Sequence, residues 1–474
     1  MRVALVNTNR IRPPIAPLGL EYLAEALAAA GHQPALLDLC WEADPEAALC
    51  AFFAGPEFGL VGITLRNTTD ASPSGMQDFI PGFLDQVALV RRHTAAPIVL
   101  GGVGYSVIPE AILATSQADA GVWGEGEGAL PEMASRLEAD RDWHDIPGLV
   151  WRDGDRIRRN PPVFMDLAKL PPMARRWMDV PRYFREGGQL GFETKRGCAG
   201  ACIYCADLVA KGRQVRLRPP AAVAAEIAAL LAQGADHLHT CDSEFNLPPE
   251  HAAAVCEELV RRGLGERVRW YAYCSPAPFD GKLAGLMRRA GCAGINFGAD
   301  SGDEEMLRRL GRWHTPQDIV MASRLCREQG MAVMLDLLLG VPGESEGSLA
   351  RTIEVMRRAD PDRVGVGLGV GVVPDTPLAT MLADPALAGG LHGGPGPLQP
   401  QFFLEPAIAD TAAGLLDRLI GDDPRFLFFD PSRPSRNYNY NANEVLVAAI
   451  RQGARGAYWD ILRREAGKQG GNGE

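Results

Sequence analysis

The chain has 474 residues, with Lys+Arg 48 against Asp+Glu 59, a formal net charge of −11. Its 46% hydrophobic and 23% charged residues are those of a soluble globular protein and exclude a mostly disordered chain. The acidic balance argues against nucleic acid or an anionic membrane as the main partner, and length alone suggests about three domains.

Residues 1–140 alternate strand-like and helix-like segments. Strands are expected over 2–7, 33–39, 59–65, 97–100 and 120–123. Leu18, Tyr22, Leu23 and Leu27 recur at helical spacing before Gly31, and Phe79, Phe83, Val87 and Val90 mark a second helix. This β/α alternation predicts an α/β fold with a doubly wound, flavodoxin-like parallel sheet. Such sheets bind ligands at the carboxyl ends of their strands. There stand Gly101-Gly102-Val103-Gly104 and Gly124-Glu125-Gly126-Glu127-Gly128, where backbone can approach a ligand closely.

Residues 141–188 are broken by Pro147, Pro161, Pro162, Pro171, Pro172 and Pro181, and read as a linker with a small hairpin around 149–155. From 189 to 375 the alternation returns, with strands expected over 189–195, 237–242, 268–274, 293–300, 331–340 and 363–372. Six β/α units in series suit a partial (β/α)6 barrel, with a second open sheet as the alternative. Residues 376–474 lose the rhythm. They are expected to be mostly helical, with a Gly/Pro loop at 389–397, a polar aromatic loop over Asn437, Tyr438, Asn439 and Tyr440 as a candidate substrate lid, and a disordered tail from Gly467 to Glu474.

No stretch of 18 apolar residues occurs, so no membrane span is expected, and no signal peptide is visible at Met1. The expected location is the cytoplasm, where thiols stay reduced. Of the ten cysteines, three stand together in Cys198-Ala199-Gly200-Ala201-Cys202-Ile203-Tyr204-Cys205, a C-x3-C-x2-C loop directly after a strand. Three thiolates on one short loop can hold three corners of a [4Fe–4S] cubane, and no fourth cysteine at conventional spacing completes a structural zinc site. One iron is then left for a substrate or cofactor. Cys40, Cys50, Cys256, Cys292 and Cys326 read as core thiols, as do Cys241 and Cys274, although these last two end strands and can face a cavity. His237 and His239 alternate along a strand and read as layer positions rather than a metal pair.

With this loop the segment 189–375 resembles the radical S-adenosylmethionine (SAM) family. The resemblance implies that the free iron chelates SAM. It places Tyr204 near the adenine, and Asp242, Ser243 and Glu244 where the family's Gly-Gly-Glu motif binds the SAM amino group. The glycine pair is missing here, which favours Ser243 and Glu244. Asp300 and Ser301 fall at the ribose-binding strand end, and Gly340 and Pro342 in a further SAM signature.

The first domain resembles the cobalamin-binding domain found ahead of the radical SAM domain in the class B methyltransferase-like subgroup. Pro17-Leu18-Gly19-Leu20-Glu21-Tyr22 and the two glycine runs carry that resemblance, which implies cobalamin contacts at Gly101, Gly102, Gly104, Gly124 and Gly126, and at Arg66 and Asn67 beneath the corrin. The Asp-x-His-x-x-Gly motif that gives cobalt a histidine elsewhere is absent; Arg66, which cannot ligate when protonated, is expected either at the lower face of cobalt or paired with an acidic neighbour or a corrin amide.

The implied enzyme is a cobalamin-dependent radical SAM C-methyltransferase, in which a reduced cluster cleaves SAM and methylcobalamin supplies the methyl group. A small-molecule substrate and an electron donor such as flavodoxin or ferredoxin are the expected partners. Polar methyl transfer without radical cleavage, cyclisation or rearrangement, a non-catalytic corrinoid or iron–sulfur carrier, and a zinc-dependent binding module are the other readings. No residue is assigned as a catalytic group, and the substrate is not legible.

Overall fold

The computed structural model describes residues 1–70, 76–428, 436–441 and 443–470. The first sheet contains β1 (Arg2–Asn7), β2 (Gln33–Asp38), β3 (Leu60–Thr64), β4 (Ile98–Gly101), β5 (Ala120–Val122), β6 (Leu149–Asp153) and β7 (Arg156–Arg159), in the order β2-β1-β3-β4-β5-β6-β7. The first five strands are parallel, as the alternation predicts. Helices Leu18–Ala29 and Ile80–His93 present Leu27, Phe83 and Val87, all buried, to apolar cores around this sheet, while buried Tyr22 meets Arg218 and Glu226. That double cover is why β1 reads as one continuous apolar run.

β6 extends the sheet antiparallel to β5, and β7 pairs antiparallel with β6. The hairpin expected inside the linker is therefore an edge of the first sheet, and the chain from 141 to 160 is not a free connection.

The second sheet begins with β8 (Leu190–Phe192). The strand expected over 189–195 is interrupted, because Lys195–Arg196 (β9) turns away and pairs antiparallel with β10 (Arg216–Leu217). This small ribbon brackets the cysteine loop. β11 (His237–Thr240), β12 (Arg269–Cys274), β13 (Cys292–Asp300), β14 (Ala332–Leu339) and β15 (Arg363–Leu368) follow, all parallel, with helices between them. The last predicted strand divides at Gly369, whose φ of +89° turns the chain before β16 (Val370–Gly371).

β17 (Leu391–Gly393) and β18 (Gln401–Phe403) join β16 in a three-stranded antiparallel sheet, and β19 (Phe426–Phe428) adds a seventh strand parallel to β15. The regular structure of the C-terminal region is mostly helical, as expected, with three short strands added. One of them, β19, completes an existing sheet edge, a long-range pairing that local periodicity does not show. The seven-stranded order β19-β15-β14-β13-β12-β11-β8 is an open, partial barrel. A final helix, Tyr458–Gly470, covers ground expected to begin a disordered tail; residues 471–474 lie outside the described residues. Among the described residues no helix is long and apolar enough to cross a membrane.

Two cysteine readings change. Cys50 is exposed on a helix, and Cys241 is exposed at the end of β11 rather than packed in the core.

Candidate active site: a cysteine loop beside a glycine-walled cavity

Cys198, Cys202 and Cys205 are all unpaired thiols on the loop that leaves β9. The loop is anchored from below. Asp242 accepts from Thr194 N at 2.8 Å, Thr194 Oγ1 at 2.5 Å and Lys195 Nζ at 3.4 Å. Asp242 is therefore a buried pin for the base of the loop, with its oxygens already engaged, rather than an open contact for SAM. Gly197, at φ +81°, leaves no room for a side chain against the Gln214 carbonyl. The Gly200 N–H points at Cys198 Sγ, 3.4 Å away.

Among the described residues, no three His, Cys, Asp or Glu side chains lie close enough to hold a single metal ion. A cubane separates its thiolates further than one zinc ion does, and three cysteines on one loop are the number that a cluster with one open iron needs. Burial pushes the Cys205 thiol up to about 12 and raises that of Cys198. Thiols held this way become thiolates only with a metal's positive charge beside them. The residues present therefore fit a cluster.

Arg312, in the loop after β13, was not singled out by its sequence. Its Nη1 lies 3.2 Å from Cys202 Sγ, its Nη2 donates to the Gly298 carbonyl at 2.6 Å, and its Nε pairs with Asp300 at 3.2 Å. Asp300, held at φ +58°, also accepts from the Tyr204 hydroxyl at 2.6 Å. Tyr204 and Ile203 pack against Val341, Val370 and Phe403, an apolar patch beside the cysteine loop. Glu244 sits 3.5 Å from Arg312, and burial pushes its carboxyl up to about 7.

Other expected SAM contacts have internal partners. Ser243 donates to Asp207 at 2.6 Å, and Ser301 bonds Thr352 at 3.1 Å and the Asp303 N–H at 3.1 Å. Pro342 is buried, and Gly340 turns at φ +82° with its carbonyl accepting from Glu405 N.

The second component is a cavity of about 480 Å³ at the carboxyl ends of the first sheet's strands. Arg66, Asn67, Gly101, Gly102, Gly124 and Gly126 all line it. A side chain at Gly101 would meet nothing within 4 Å, and one at Gly102 would strike the Leu65 carbonyl, so these glycines leave a floor of bare backbone. Gly104 does not line the cavity: it packs beneath the loop, donating to the carbonyls of Leu65 and Arg66 at 3.0 Å. Among the described residues no histidine lines the cavity. Arg66 is exposed toward this space, yet the surrounding protein lowers its pKa, and its titrating neighbours are Tyr458, Cys241 and Tyr273. Among the described residues no carboxylate pairs with it. A flat, polar-rimmed group floored by glycine backbone, with no protein imidazole offered to it, fits this cavity.

Cys241, Asp207, Lys211, Glu193 and Arg196 close the same cavity from the barrel side, so it lies between the two sheets. Buried ion pairs hold them together. Glu125 meets Arg216 at 2.5 Å and Arg196 at 3.5 Å, and Glu127 meets Arg196 at 2.7 Å. Arg175 joins Glu21 at 2.6 Å to Glu226 at 2.9 Å, with Arg218 on Glu226 at 2.6 Å. The carboxylates of the Gly-Glu-Gly-Glu run and of Glu21 thus tie the two sheets together.

The match to known proteins agrees with both components. The radical SAM superfamily model matches residues 192–367, and the B12 binding domain model residues 5–134. Tryptophan 2-C-methyltransferase of Streptomyces laurentii is 32% identical over 98% of this chain and 96% of its own length. Cytidylyl-2-hydroxyethylphosphonate methyltransferase of Streptomyces wedmorensis is 25% identical over 72% of each. The radical SAM methyltransferase TsrM of Kitasatospora setae, solved with tryptophan and an aza analogue of SAM, superposes with a TM-score of 0.92 at 30% identity over 99% of both chains. A second structure of that protein, with cobalamin and a [4Fe–4S] cluster, gives 0.88 at 29% identity. With a cysteine loop and a glycine-floored cavity facing each other across one interface, and with that likeness over its full length, this chain belongs to the cobalamin-dependent radical SAM methyltransferases.

Proposed function

We propose that this chain moves a methyl group from SAM, by way of cobalamin, to a carbon of a small aromatic substrate, with tryptophan the first candidate. One observation carries the reading: the cysteine loop and the glycine-floored cavity abut, with Asp207, Lys211 and Cys241 belonging to the wall between them. When bound, cluster and corrinoid supply one-electron reduction and a methyl carrier. Everything else is positioning by this chain. Cys198, Cys202 and Cys205 hold the cluster. Tyr204 and the apolar patch around it take the adenine, Asp300 the ribose hydroxyls, and Glu244 with Ser243 the amino end of SAM. Gly101, Gly102, Gly124, Gly126 and Asn67 cradle the corrinoid, and Arg66 faces its lower side without ligating cobalt.

Residues 1–140 form the corrinoid unit and 189–375 the SAM unit, and the C-terminal region supplies the substrate lid: Tyr438 is buried with Tyr271, Met334 and Trp459, and Tyr440 is partly buried beside it. A donor of the flavodoxin or ferredoxin class reduces the cluster, which lies close to the surface where half-exposed Trp313 covers Gly200. Ten unpaired cysteines suit a reducing cytoplasm.

The test is anaerobic incubation of reconstituted protein with SAM, methylcobalamin and L-tryptophan. S-adenosylhomocysteine with 5′-deoxyadenosine indicates radical methylation. S-adenosylhomocysteine alone indicates polar transfer. 5′-Deoxyadenosine alone, or neither product with a range of substrates, refutes the methyltransferase reading.

A further inference from the structure

Period-two alternation places His239 and Cys241 from β11, Tyr273 from β12, Asn296 from β13, Asp336 from β14 and Gly365 from β15 on the inner face of the barrel. Two of these, Asn296 and Asp336, are polar groups that no helix cap or sheet ladder needs. Asn296 Nδ2 donates to Asp336 Oδ2 at 2.6 Å. That leaves Asp336 Oδ1 and Asn296 Oδ1, both buried, with no hydrogen-bond partner. A Cβ on Gly365 would collide with that free Asp336 oxygen and would lie 2.7 Å from the Tyr438 hydroxyl, so carboxylate and phenol converge over bare backbone.

Aromatic rings surround the pair. Tyr438 packs on Tyr440 with ring centroids 5.8 Å apart, Tyr440 on Tyr458 at 5.4 Å, and Tyr273 on His239 at 4.8 Å. The groups that face Asp336 electrostatically are Asn296, Asp300, Tyr273, Tyr438 and Tyr440. Among the described residues none is a cation. His239 is kept neutral by burial, and Arg66 acts on Tyr273 and Tyr458 rather than on Asp336.

We propose that Asp336 and Asn296 form the receptor for a substrate ammonium group, so that the enzyme selects a primary amine whose apolar body lies against Tyr273, Tyr438 and Tyr440. An ammonium group has three N–H donors and no acceptor. Two lone-pair oxygens set side by side with a phenol nearby are its complement, and aromatic rings around it add attraction for a cation. A neutral substrate would leave a buried carboxylate unpaired, which is the costlier state of the two. Burial without a counter-charge pushes the Asp336 carboxyl up to about 7, as expected of a site that awaits its cation.

The inference rests on the methyltransferase reading only for the word substrate, and binding tests it without turnover. Holoenzyme loaded with cobalamin, cluster and S-adenosylhomocysteine is dialysed against labelled tryptamine, phenethylamine and indole-3-propionate. The two amines are expected to bind and the desamino acid not to. D336N is expected to weaken the amines by about 10- to 100-fold, and N296A by less, with iron and cobalamin contents unchanged. N296A carries the test alone should D336N not fold. Equal binding of amine and desamino probes, no binding of either amine, or full amine affinity in both variants overturns the proposal. Amine-selective binding with no S-adenosylhomocysteine formed in the turnover assay would refute the methyltransferase reading and leave the receptor standing.

Discussion

Arg312 Nη1 lies 3.2 Å from Cys202 Sγ while its Nε meets Asp300 at 3.2 Å. One guanidinium thus joins a cluster cysteine to the carboxylate assigned to the SAM ribose. Hydrogen bonds to cluster sulfurs raise reduction potentials, and the partners of ligands matter nearly as much as the ligands themselves. R312Q is expected to lower the cluster's midpoint potential and to cut methyl transfer by about 10- to 100-fold. Potentiometric EPR titration reads the first effect, and an unchanged potential would remove Arg312 from this role.

Glu125 and Arg216 make the equivalent link between the sheets, at 2.5 Å and with side chains 6% and 7% exposed. Removing one partner leaves the other charge buried. E125A is therefore expected to destabilise the protein by about 3–5 kcal/mol and to loosen cobalamin retention. Urea unfolding and cobalt content after gel filtration measure the two effects.

Asp336 gives a pH signature. Its carboxyl rises from 3.8 to about 7 on folding, so the folded state holds the proton more tightly than the unfolded one. The resulting stability is complete below the unfolded value and is lost as pH rises through 7. Between pH 5 and 8, substrate-free wild type is expected to lose about 3 kcal/mol relative to D336N, at about 1.4 kcal/mol per unit up to pH 7 and little beyond it. Parallel melting curves at the two pH values check the sign: a variant that loses stability alongside wild type contradicts it.

Arg66 carries no imidazole to cobalt, and among the described residues no histidine lines the cavity. In wild-type protein the EPR spectrum of bound cob(II)alamin is expected to lack nitrogen superhyperfine splitting from a protein ligand. R66H is expected to introduce it. Splitting in the wild type would show that another residue reaches the metal.

The cysteine loop and both glycine runs were readable because their chemistry is local. Thiols spaced three and two residues apart must share a loop, and glycines at strand ends mark close backbone approach whatever the rest of the chain does. The same locality misassigned some neighbours. Asp242 stands where a SAM contact belongs, but Thr194 and Lys195, nearly fifty residues earlier, occupy its oxygens. Gly104 belongs to a cavity motif yet packs under its loop. Glu125 and Glu127 sit inside a cofactor-like run, and what they hold is Arg196 and Arg216 of the other sheet.

The sequence by itself determined the two β/α series and their order, and it set three cysteines together on one loop. These follow from periodicity, spacing and residue type, which are properties of short segments. Only the tertiary structure decided how the 149–159 hairpin and the 426–428 strand complete distant sheets, that Arg312 reaches Cys202, and that Asp336 meets Asn296 and, over Gly365, the Tyr438 hydroxyl. Those contacts join residues tens to hundreds of positions apart. Whether a buried polar atom is satisfied depends on all of them at once, and no segment of the chain carries that information alone.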